Sequence, residues 1–146
     1  MKFSGTVAIA APRRQVWSFV TDPNQVSRCG PGVESLEIID PTHFRATAKV
    51  GIGFLSVRFV VNMEMAELVE PDRAVIRARG DAPGGAADAT AAMLLSGPPE
   101  GPTRMDWSAD VALSGTLASL GARMVEGAAN KTIGQTFGCV KSTLER

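Results

Sequence analysis

The chain contains no tyrosine, one histidine and two cysteines among its 146 residues. Without tyrosine it lacks a common proton donor of sheet-lined pockets. The lone His43 stands beside a turn, in phase with Arg45 and Lys49, an outward position where a general base has no positioned partner. One histidine and two distant cysteines cannot assemble a zinc-type ligand set, and neither a Ser-His-Asp nor a Cys-His arrangement has support. The sequence therefore assigns no catalytic residue, no metal and no cofactor. Cys29 and Cys139 form no CxxC pair; they read as two buried free thiols, since a long-range disulfide would better suit an exported protein. Net charge is also missing: 15 basic residues balance 15 acidic ones, which argues against a dedicated nucleic-acid binder. Met1 to Gly5 lacks the apolar run of a signal peptide. Nor does any stretch approach the roughly 20 apolar residues that span a bilayer. The expected location is cytoplasmic.

What is present is period-two alternation. Phe3, Gly5, Val7 and Ile9 share one side of a first strand. Ala11-Pro12 opens a short helix with Val16, Trp17, Phe19 and Val20 on its apolar side, and Asp22-Pro23 ends it and caps a second. Strands follow almost without interruption. Leu55, Val57, Phe59, Val61, Met63 and Met65 occupy every second position, a pattern hard to reconcile with a helix. Ala74, Ile76, Ala78 and Gly80 alternate in the same way, as do Ala87, Ala89, Ala91, Met93 and Leu95, then Met105, Trp107, Ala109, Val111 and Leu113. Gly115 to about Leu144 reads as one long helix without proline. The expected fold is one α+β domain over residues 1–146. In it a curved antiparallel sheet of about seven strands grips a long C-terminal helix, with two short helices after the first strand.

The final helix changes its apolar side. Ile133, Phe137, Val140 and Leu144 form one stripe, while Leu117, Leu120, Met124 and Ala128 form another on a nearly opposite face. The second stripe can line a cavity, dock a protein or membrane partner, or pack under loops; a bend at Gly127 would realign the two. The sheet favours a cavity, because its middle strands turn alanine and glycine inward and well-packed interiors leave few voids. The expected ligand-binding residues are Phe59, Val61, Met63, Ile76, Ala78, Ala89, Ala91 and Trp107 on the sheet, with Leu117, Leu120 and Met124 on the helix. Such a pocket favours an uncharged, largely hydrophobic molecule; the competing arrangement is a helix packed directly onto the small residues. Gly51-Ile52-Gly53 joins two strands and opens no helix, so it is a turn rather than a phosphate loop. Its tip, Ile52 to Leu55, is apolar enough to mark a pocket rim or a peripheral membrane contact.

Several segments together resemble the CoxG family of carbon monoxide dehydrogenase proteins. They are Phe3 and Gly5 followed by Ala11-Pro12, Val16-Trp17 with Phe19, Asp22-Pro23, Gly30-Pro31-Gly32 with Glu34-Ser35-Leu36, Val50 to Gly53, Leu117-Ala118 with Leu120-Gly121, and Gly127-Ala128-Ala129. That family belongs to the START-like (SRPBCC, Bet v 1-like) helix-grip superfamily, whose members hold hydrophobic ligands between sheet and helix. The resemblance implies an accessory protein, and the small inward residues, the double-striped helix and the missing catalytic set make non-enzymatic binding of a lipid or quinone the expected activity. Such an accessory would link a molybdenum-containing CO dehydrogenase or related hydroxylase to the membrane or its quinone pool. The alternative within the superfamily is a small cyclase or hydrolase. That reading requires Glu64, Glu67, Arg77 or Asp88 to break phase and point inward.

Overall fold

Side chains alternate across a pleated strand, so a run of period-two segments joined by tight turns builds a sheet with one apolar face. The computed structural model describes residues 1–146. Its strands are β1 (Lys2–Ile9), β2 (Val33–Asp40), β3 (His43–Ile52), β4 (Leu55–Val69), β5 (Arg73–Ala82), β6 (Gly85–Ser96) and β7 (Thr103–Gly115). They form one curved antiparallel sheet in the order β1-β7-β6-β5-β4-β3-β2. Strands β2 to β7 follow one another as neighbours, whereas β1 and β2 lie at opposite edges. The chain crosses between those edges through α1 (Arg13–Val20), α2 (Pro23–Val26) and a 3-10 turn, Ser27–Cys29. Asp22 caps α2 by accepting the Asn24 N–H at 2.9 Å. The long helix α3 (Ala122–Leu144) spans the inner face and approaches the sheet at β3 and β1, on its two flanks.

The packed core is gathered at one end. Ile9, Val16, Trp17, Ala74, Leu95 and Met105 meet Val140 and Leu144 from the end of α3. Thr103 is fully buried there, and its hydroxyl donates to the Ala11 carbonyl at 2.8 Å, so this core leaves no hydroxyl unsatisfied. The free-thiol expectation is overturned at the same place: Cys29 and Cys139 are joined in a disulfide. The fold lays the 3-10 turn against α3 and brings two residues 110 positions apart to a Cα–Cα distance of 5.3 Å, inside the span a disulfide requires. Burial of Cys29 was legible from residue type; its neighbour was not.

The C-terminal region also departs from expectation. Strand β7 continues to Gly115, a 3-10 turn occupies Ala118–Leu120, and α3 begins only at Ala122. Two glycines enforce the break. Gly115 has φ 64°, and a Cβ there would lie 2.1 Å from the Gly84 carbonyl oxygen; Gly121 has φ 93°. From Ala122 onward the helix is continuous through Gly127. Its far end is tied to β1. Lys141 Nζ donates to the Ala8 carbonyl at 2.8 Å and to the Glu145 carboxylate at 2.7 Å, while that carboxylate also accepts the Ala10 N–H at 2.8 Å.

Two outcomes follow from these ties. Reducing the disulfide, or replacing both cysteines by alanine, is expected to cost about 2–5 kcal/mol in urea unfolding, because the bridge closes a long loop of the unfolded chain. The hydrogen bond from Lys141, then that from the Ala10 amide, holds the Glu145 carboxyl below its ordinary value of 4.5. A depressed carboxyl contributes stability above its unfolded pKa and loses it as pH falls through the folded one. Thermal midpoints of wild type should therefore fall between pH 5 and pH 3 more than those of Glu145→Gln.

Candidate functional site

The inner face of the sheet carries the predicted residues in register. Met63 on β4 lies opposite Ala78 on β5, which lies opposite Ala89 on β6; Ile76 faces Ala91 in the next row. Phe59, Val61 and Trp107 share that face. All of these are half-buried, although their phase aims them under the helix. On α3, Met124, Val125, Ala128 and Ala129 are likewise half-buried, and full burial comes only at Val140 and Leu144. The helix meets the sheet chiefly at its flanks, and alanines occupy the middle rows beneath it. The chain exposes 8050 Å², against about 7,100 Å² expected for a folded chain of this mass. The apolar inner face is thus incompletely covered by the helix, a solvent-accessible groove closed at one end by the core.

Aromatic rings shape the groove where backbone gives them room. Phe59 lies over Gly80, where an added Cβ would come within 3.1 Å of the ring. Trp107 lies over Gly5 in the same way and meets Phe137 of α3 at 5.2 Å between ring centroids. The three residues expected on one helical stripe fall in three settings. Leu117 is buried beside Gly85 in the turn after β7, Leu120 is half-buried in the 3-10 turn, and Met124 alone lies on α3, its sulfur over Gly53. They frame the end of the groove opposite the core. Residues outside the expected set also line it: Val111 and Ala109 lie opposite Ala89 and Ala91. Their period-two phase was the available sign.

Charged groups are segregated to the other face. Glu64 lies 3.8 Å from His43, Glu67 pairs with Arg73 at 3.2 Å and Asp88 with Arg79 at 3.0 Å. Arg77 is exposed, so none of the four polar candidates breaks phase into the groove. The Asp88 and Asp81 charges raise the Arg79 pKa. The Thr42 amide, then the His43 ring at 2.9 Å, lowers that of Asp40. A broad open depression of about 980 Å³ crosses this outer face among Lys2, Glu64, Arg77, Asp88 and Asp110, with Met63, Ala78 and Ala89 in its floor. Solvated ion pairs of this kind are ordinary for the polar side of a sheet.

The family model for the CoxG subunit of carbon monoxide dehydrogenase matches residues 5–145. The chain belongs to the CoxG family. Solved structures similar to this CoxG chain share its fold. A conserved protein from Geobacillus kaustophilus is 22% identical, with a TM-score of 0.90 over 99% of this chain and 95% of its own. A START superfamily protein from Mycobacterium smegmatis is 18% identical, with a TM-score of 0.74 over 99% and 97%. The Zhui aromatase/cyclase from Streptomyces sp. R1128 is 15% identical, with a TM-score of 0.75 over 100% and 94%. Comparison with curated protein sequences gave no match. No helix of the CoxG chain is long and apolar enough to cross a membrane.

At the framed end of the groove the two-residue turn Gly53-Phe54 projects its phenyl ring into solvent, 93% exposed, with Leu55 39% exposed beside it. A side chain with so few contacts contributes little to folding. Phe54→Ser should leave the unfolding free energy within about 0.5 kcal/mol of wild type in urea titrations.

Proposed function

We propose that this CoxG-family chain binds an uncharged hydrophobic molecule, a lipid or a quinone, between α3 and the sheet. It acts as a non-enzymatic accessory that brings this molecule to a molybdenum-containing CO dehydrogenase or a related hydroxylase. One observation carries the binding part: an inner face built of half-buried small apolar residues beneath a helix that meets the sheet chiefly at its flanks. Apolar grooves favour neutral, hydrophobic occupants, and methionines such as Met63 and Met124 adapt to irregular shapes. The family name supports the partner. The apolar tip at Phe54 and Leu55 supplies peripheral contact with a membrane during loading.

The second reading, a cyclase or hydrolase, draws on the likeness to an aromatase/cyclase. It has less support, because Glu64, Glu67, Arg77 and Asp88 lie on the outer face with the other charges.

Native mass spectrometry of gently purified protein, followed by solvent extraction, should release a hydrophobic molecule; a chain that neither carries nor takes one up defeats the reading. Ala89→Leu sharpens the test. In an unfilled groove the added carbons block binding by roughly tenfold or more and leave stability unchanged. Against a filled interior they would cost about 1–3 kcal/mol of overpacking. The partner is tested by co-purification with the hydroxylase, and the membrane contact by vesicle flotation of wild type against Phe54→Ser.

A further inference from the structure

An open sheet has two edges, and the two edges of this one are built differently. Open edges pair readily with other strands, so folded chains blunt them with bulges, charges or a covering segment. Strand β2 carries such devices: its register with β3 shifts twice, and Glu34, Glu37 and Asp40 are exposed along it. Strand β1 has neither. It keeps one unbroken register with β7, from Lys2 opposite Asp110 to Ile9 opposite Thr103, and its only charged side chain is Lys2.

Hydrogen bonds at the two ends of β1 show which backbone groups are left open. The Met1 amino group donates to the Val111 carbonyl, and the Val111 amide donates to the Met1 carbonyl, each at 2.8 Å. Pairs of this kind alternate along an antiparallel ladder. Phe3, Gly5, Val7 and Ile9 therefore turn their backbone groups to β7, and the even-numbered residues turn theirs to the edge. The end of α3 covers that edge at Ala8, whose carbonyl accepts from Lys141, and at Ala10, whose amide donates to Glu145. Lys2, Ser4 and Thr6 lie beyond the helix end and are exposed, and their outward amides and carbonyls have no partner in the chain.

We infer that β1 pairs antiparallel with β1 of a second copy, centred on Ser4, and so joins the two seven-stranded sheets into one. This centre sets Ser4 opposite Ser4, and Lys2 opposite Thr6 of the other copy. All three facing pairs use outward backbone groups, which gives about six hydrogen bonds between the chains. The charges agree. Thr6 donates its hydroxyl to Asp106 at 2.7 Å, so each Lys2 shares a row with a carboxylate of the other copy, and no like charges face each other. On the inner side Phe3, half-buried in one chain, comes opposite Gly5 of the other, beside the Trp107 ring that covers that glycine. Aromatic cross-strand neighbours are favourable.

Other edge pairings fit less well. Pairing β2 with itself about Glu37 sets Glu37 against Glu37 and Glu34 against Asp40, while β1 against β2 leaves a free edge at each end and extends without closing. The second strand ends where α3 covers Ala8, so the contact is short and the dimer weak. It leaves the groove and the Phe54 tip uncovered, since both lie away from β1.

Sedimentation equilibrium of the full chain, over a dilution series reaching about 1 mM, should show a reversible monomer–dimer equilibrium. Ser4→Pro removes an outward N–H and leaves the ladder to β7 intact; it should weaken the dimer roughly tenfold or more. Ser4→Lys sets two ammonium groups opposite each other across the axis. It should weaken the dimer roughly two- to fivefold, with recovery at high salt. Circular dichroism and urea unfolding establish that both variants are folded. Ser4→Cys should cross-link two chains under mild oxidation, because facing residues bring their Cα atoms within disulfide reach. Thr90→Cys, exposed in the middle of the outer face, should not. Wild type that stays monomeric throughout, or a dimer indifferent to both Ser4→Pro and Ser4→Lys, overturns the proposal.

Discussion

The whole arrangement depends on where α3 is held. Its last turns are fixed by Val140 and Leu144 in the core, by the disulfide from Cys139, and by the Lys141 and Glu145 contacts to β1. Its first half has no comparable anchor, and the sheet beneath it presents alanines. The half-burial of the inner face follows from that anchoring and from the short side chains, and its apolar character from the strand phase.

Stability is distributed accordingly. Only 20 of the 146 residues are buried, and most of the large ones lie at the plugged end. Close packing and its dispersion energy are concentrated there. The framed end, with the Gly53-Phe54 turn, the Leu117–Leu120 region and the first turns of α3, has fewer buried contacts to lose. Segments of that kind open at low free energy without unfolding the core. The disulfide joins the crossover segment to α3 at the stable end and leaves the opposite end unconstrained.

The two faces of the sheet divide the chemistry between them. Outward positions carry balanced ion pairs in solvent, such as Arg79 with Asp81 and Asp88. Inward positions of β4 to β7 carry hydrocarbon and sulfur, apart from the Thr103 hydroxyl and the Trp107 indole. A neutral molecule meets no desolvated charge in such a groove, whereas an ion would have none to compensate it.

Much of the fold was legible in the residues. Six consecutive period-two matches in Leu55 to Met65, and the phases of the strands around it, predict which side chains face inward, because alternation is a local property of a pleated strand. The same phases placed Met63, Ala78, Ala89, Ala91 and Trp107 on one face and the charged residues on the other. Continuity of helix was less legible: hydrophobic spacing alone ran the last helix back through Leu117 and Leu120. The conformation of Gly115 answers instead to the neighbouring turn at Gly84, and the positive φ of Gly121 breaks the chain again before α3.

The sequence by itself determined the strands, their inward faces and the apolar character of the interior. The tertiary structure alone decided that Cys29 meets Cys139, that α3 meets the sheet at its flanks, and that Trp107 packs over Gly5 against Phe137. Each of these is a distance between segments far apart in the chain, and such distances are set by packing rather than by any local periodicity.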